Sequence, residues 1–210
     1  MTSSAKNSNG RTPLQGFELE KVWDPVTRMW HWVLVLAVSV GWSFGKFMSF
    51  DTIQWHFYLG YLILALMLFR FLWGFIGPAT VSYRAIIPTP ASLIAYLKNI
   101  GRRQPSGSRG HNPLGSISVI AMLIFITAQG ITGLFIESDD FFEYGPLAGY
   151  VSEATVSRLT WWHHFNADVI MVLVGLHVAA ILFYLLWKRE NLIKPMISGW
   201  KWVKRDQAES

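Results

Sequence analysis

The chain has 210 residues, of which 52% are hydrophobic, 15% aromatic and 15% charged, with eleven tryptophans and no cysteine. Soluble domains carry about 25% charged residues, and here the charges leave long stretches empty, so a membrane protein is expected. Without cysteine there are no disulfides, thiolate zinc sites, iron–sulfur clusters or covalently attached c-type haem. The net charge of +5 sits at the ends of apolar segments and forms no continuous stripe, so no nucleic-acid partner is expected.

Residues 1–20 are expected to form a disordered cytoplasmic tail, because Met1 to Gly16 is polar and has no apolar secretory core. Residues 21–200 follow as one four-span domain, and residues 201–210 as a trailing cytoplasmic tail. A spanning helix needs about 20 mostly apolar residues. Four segments qualify: Met29 to Met48, Ile53 to Ile76, Pro113 to Ile136, and Leu159 to Trp187. Between the second and third, Thr89-Pro90 suits a helix cap and first turn, and Leu93, Ile94, Leu97 and Ile100 recur at helical spacing. This predicts a short interfacial helix on the cytoplasmic surface. The third loop, with Glu137, Asp139, Asp140, Glu143 and Glu153, reads as an acidic outer cap. The expected fold is an all-α integral membrane four-helix bundle.

Lysines and arginines set its direction. Lys6, Arg11, Lys21 and Arg28 precede the first span, Arg84, Lys98, Arg102, Arg103 and Arg109 fill the second loop, and six more follow the fourth span. The first and third loops hold only Lys46 and Arg158. The positive-inside rule then places both termini in the cytoplasm.

Histidine in an apolar helix is costly unless its nitrogens find partners, and intramembrane ionisable groups point to function. His31 opens the first span at its cytoplasmic end and His56 opens the second at its outer end. In the fourth span His163 and His177 are fourteen residues apart, about 21 Å along the axis and about 40° short of four full turns, so both face nearly one way. His164 lies about 140° from His177 and reads as an interfacial side chain. Depth pairs His56 with His163 and His31 with His177. Two imidazole pairs without sulfur or glutamate ligands suit haem iron better than zinc, copper or a di-iron centre, and a two-haem membrane cytochrome is expected. Gly60, one turn after His56, and Gly41, Gly130, Gly133 and Gly175 offer clearance for a flat macrocycle. Arg28 and Arg70 are cations placed for the propionates of the inner haem. Asp168, five residues after His163, is expected to bond a neighbouring helix, and the tryptophans at span ends form an interfacial belt.

Val22-Trp23-Asp24-Pro25 through Arg28, His31 and Trp32 resembles the opening of bacterial cytochrome b561-type proteins, including the cytochrome b subunits of nickel hydrogenases. His56 with Gly60-Tyr61, Arg70 with Trp73-Gly74 and Gly77, and His163 with His177-Val178-Ala179-Ala180 continue the match. The resemblance covers nearly the whole chain after residue 20 and implies that His31, His56, His163 and His177 bind two b haems. It departs from the six-span eukaryotic members, which use ascorbate.

With both axial positions filled, such haems exchange electrons and bind no oxygen. The expected function is electron transfer between a membrane quinone, near the inner haem and with His111 as a candidate contact, and a periplasmic cytochrome or redox enzyme at the acidic face. No separate catalytic residue is expected. Two alternatives use the same scaffold: a superoxide oxidase passing electrons to ubiquinone, and the membrane anchor subunit of a hydrogenase or formate dehydrogenase complex.

Overall fold

A computed structural model describes residues 16–138 and 143–205; Asp139 and Asp140 of the expected acidic cap, and the tail before residue 16, lie outside these. Four long helices dominate: α1 (Pro25–Lys46), α2 (Ile53–Ile76), α5 (Pro113–Gly133) and α6 (Glu153–Leu186). Short α3 (Tyr83–Ile86) and α4 (Pro90–Lys98) join α2 to α5, and α7 (Ile193–Ser198) follows α6. The helix starts have local causes. Asp24, Asn112 and Ser152 cap α1, α5 and α6 by accepting the N–H of Thr27, Gly115 and Thr155, and Pro25 and Pro113 occupy first turns where a missing N–H costs nothing. Thr89 and Pro90 do the same for α4.

Three of these helices, α2, α5 and α6, are long and apolar enough to cross a membrane. The fourth, α1, has 22 residues, about 33 Å at the usual rise, but Arg28, His31 and its tryptophans lower its hydropathy. The second span matches its expected bounds, while α1 starts four residues before Met29 because Asp24-Pro25 caps it. The third stops at Gly133 and turns into a minimal hairpin, β2 (Glu137–Ser138) with β3 (Glu143–Tyr144). The fourth begins at Glu153, six residues before Leu159, where Ser152 supplies the cap.

The fold is mostly helical, not wholly so. β1 (Phe17–Lys21) and β4 (Trp200–Lys204) pair antiparallel with Phe17 opposite Lys204 and Lys21 opposite Trp200. Residues 17–20 and 201–204, expected in two tails, are therefore tied together. The sheet closes because Val203, fully buried, packs with Val22, Trp23 and Val81, and because Glu18 pairs with Arg205 at 2.8 Å across it.

Within the bundle α1 packs on α2, α2 on α5 and α5 on α6, whereas α6 and α1 meet at few points. One buried residue from each long helix, Leu34, Met67, Ile126 and Ile170, forms the central core. The end carrying α4, the β1–β4 sheet and most loop lysines and arginines is the basic end; the end carrying β2–β3 is the acidic end.

Candidate functional site: two histidine pairs in the bundle

Ile170 lies seven residues from both His163 and His177, so the central core separates an upper from a lower level by about two turns on each side. At the acidic end, the imidazoles of His56 on α2 and His163 on α6 face each other with ring centres 6.2 Å apart and planes at 78°. His163 is buried, while His164 beside it is exposed. Each facing ring is fixed through Nδ1. His56 Nδ1 donates to the carbonyl of Gly41 at 2.9 Å. The Thr132 hydroxyl spends its hydrogen on the carbonyl of Ala128 at 2.8 Å, which leaves its oxygen to accept from His163 Nδ1 at 3.1 Å.

Such a partner on one ring nitrogen sets the tautomer and leaves Nε2 as the nitrogen for a metal. A metal about 2 Å from each nitrogen would hold two opposed imidazole centres on the order of 6 Å apart, in keeping with the observed spacing. Among the described residues no group of three or more His, Cys, Asp or Glu is arranged to hold a metal ion. A bare cation would want three or four such ligands, whereas a pair of imidazoles would suit a metal carried by its own prosthetic group.

Glycines shape this level. A Cβ on Gly45 would stand 2.9 Å from the His56 ring, and one on Gly133 would stand 3.2 Å from the His163 ring. Gly60 and Gly175 have open space where a Cβ would lie, as clearance for a macrocycle requires. Gly41 and Gly130 differ, since they sit against Leu59 and Leu64 and serve helix packing.

At the basic end His31 on α1 and His177 on α6 lie within electrostatic reach of each other, and His31 Nδ1 is buried without a hydrogen bond. Around them are cations with free donors. Arg70, only 5% exposed, donates Nη2 to the Val81 carbonyl at 2.9 Å, lies about 6 Å from the Trp30 and Tyr83 rings, and keeps Nη1 buried and unbonded. Arg28 donates to the Ile197 carbonyl while its Nε is likewise unpaired. His111 sits 4.9 Å from the Trp23 ring.

Sequence reasoning missed several supporting groups. Asn166, buried one turn below His163, bridges to α5 through the Phe125 carbonyl at 2.9 Å and Gln129 at 2.7 Å. Lys201 and Glu190, 7% and 9% exposed, form an ion pair at 3.3 Å, and Glu190 also accepts from Ser106. Burial pushes the Lys201 ammonium down from its usual range, and the Glu190 carboxylate opposes that shift. The available signal was a polar residue facing inward in an apolar span, or a charge close to a strand. Asp168, expected to bond a neighbouring helix, is exposed instead.

The sequence profile of the prokaryotic cytochrome b561 family matches residues 22–199. The probable Ni/Fe-hydrogenase B-type cytochrome subunit of Azotobacter vinelandii is 24% identical, covering 100% of this chain and 99% of its own length. The corresponding proteins of Rhizobium leguminosarum bv. viciae and Escherichia coli K12 are 26% and 24% identical, over 85% and 86% of this chain and 87% and 89% of theirs. No solved structure gave a significant match.

Proposed function

The chain is a member of the prokaryotic cytochrome b561 family, a multi-pass membrane cytochrome whose cofactor is haem b and whose role is electron transfer, and on that premise we propose a two-haem wire. His56 and His163 would hold one haem, and His31 and His177 the other. The observation that carries this is the 6.2 Å separation of the His56 and His163 rings, each with Nδ1 already committed to protein. When bound, each haem would supply an iron that changes oxidation state by one electron.

The chain contributes placement and environment. Gly41 and Thr132 orient the outer imidazoles and raise their basicity as ligands. Leu34, Met67, Ile126 and Ile170 exclude water between the two levels. Arg28 and Arg70 offer their unpaired donors to inner propionate carboxylates. Electrons then pass between a membrane quinone at the basic, cytoplasmic end and a redox enzyme or carrier at the acidic, periplasmic end. The similarity to probable Ni/Fe-hydrogenase cytochrome subunits favours an enzyme of the hydrogenase kind as that partner.

Purified protein should give two haem b per chain in a pyridine-haemochrome assay, with a reduced-minus-oxidised spectrum of b type. His163→Ala should lose one haem and His164→Ala none. A single haem in the parent protein, or loss on changing His164 alone, would overturn the ligand assignment.

A further inference from the structure

A buried cation with no acid beside it is expensive, because the desolvation of a charge is repaid only by a close counter-charge. Arg70 is such a cation. Among the described residues at its end of the bundle every carboxylate is engaged elsewhere. Glu20 pairs with Arg109 at 2.6 Å, Glu190 with Lys201 and Glu18 with Arg205, while Asp24 caps α1. The Val81 carbonyl and the faces of Trp30 and Tyr83 solvate the guanidinium, but Nη1 still points at no acceptor.

His111 shares this environment. It precedes the Asn112 cap of α5, its ring packs against Trp23, and its Nδ1 is closed off from solvent without a partner. Trp23 belongs to the same buried cluster as Val81, whose carbonyl holds Arg70, so Arg70 and His111 border one patch of core, and the imidazole has an N–H to give. A neutral quinone carbonyl would satisfy that N–H but would leave the Arg70 charge uncompensated. An anion satisfies both.

We propose that Arg70 and His111 together form a carboxylate cradle for a propionate of the inner haem, with His111 as the hydrogen-bond donor that completes it. This rests on the two-haem reading above and assigns His111 to the haem in place of the quinone. Charge-assisted bonds of this kind are the stronger ones. Removing the donor leaves more negative charge next to the iron, which favours the oxidised state.

The test is a potentiometric titration of parent, His111→Ala and His111→Gln proteins, each reconstituted from apoprotein with haem or with haem dimethyl ester, which lacks the carboxylates. With natural haem, His111→Ala should shift one of the two transitions downward, changing its reduced-to-oxidised ratio at fixed potential by about tenfold. His111→Gln, which keeps an N–H donor, should restore most of the shift. With the dimethyl ester, parent and His111→Ala should coincide. The same shift with both haems would mean that His111 only packs, and the proposal would fall. Unchanged potentials with altered quinone turnover would also overturn it, by returning His111 to the quinone. A parent protein that takes up fewer than two haems would refute the two-haem reading itself.

Discussion

At the scale of single residues, the outer pair depends on what is missing as much as on what is present. Gly45 ends α1 against the His56 ring, and a methyl there would press within 2.9 Å of Cε1. A free side chain would move aside, but an imidazole tethered to the Gly41 carbonyl and, on the proposed reading, bound to a metal would have little room to yield. Gly45→Ala should therefore lower outer-haem occupancy in the pyridine-haemochrome assay while the inner haem stays, and full occupancy of both would show that the ring can shift without leaving the iron. His163 could be told from His164 in the sequence because its fourteen-residue spacing to His177 on one helix is a rigid constraint, and depth in the spans supplied His31 and His56. Thr132, Gly45 and Asn166 could not be picked out, since which residue meets a ring on another helix depends on how each helix is rotated about its axis. Asp168 went the other way: an acid inside an apolar segment suggested a buried bond, and the rotation of α6 turned it outward.

At the scale of elements, capped helices are locally encoded and the small sheet is not. Asp24-Pro25, Thr89-Pro90 and Asn112-Pro113 each announce a helix start within a few residues. The strands β1 and β4 are five residues each and lie at opposite ends of the sequence, so neither carries a period long enough to stand out and each forms only because the other is there. Their junction passes through Gly199, whose φ is +87° and whose carbonyl accepts the N–H of Val22 and Trp23 at 2.9 and 3.2 Å. A Cβ there would meet the Trp23 carbonyl oxygen at 2.7 Å, in addition to the cost of about 1–3 kcal/mol for a non-glycine residue in that backbone region. Gly199→Ala should lower the melting temperature in detergent and loosen the inner site before the outer, seen as earlier loss of one haem on heating. Simultaneous loss of both at an unchanged temperature would show that the sheet does not hold the basic end.

At the scale of the molecule, the two ends differ in charge, and that difference predicts which end faces the cytoplasm. The basic end gathers the loop between α2 and α5 and the segment after α6, with eleven lysines and arginines named in the sequence, while the acidic end presents Glu137, Glu143 and Glu153. Charge bias of this sort orients bacterial membrane proteins with the basic loops in the cytoplasm, which would expose the outer pair to periplasmic partners. Because the chain has no cysteine, single introduced thiols report the orientation without background. Tyr150 at the acidic end is 84% exposed, and Lys194 at the basic end is exposed on α7, so neither substitution disturbs packing. In intact spheroplasts a membrane-impermeant maleimide should label Tyr150→Cys and leave Lys194→Cys unmodified until the membrane is broken. The reverse pattern would place the His31–His177 pair toward the periplasm and put the partner enzyme at the basic end. Labelling of both sites before lysis would mean an odd number of crossings between residues 150 and 194 is wrong, and α6 would have to be reconsidered as a helix that does not span.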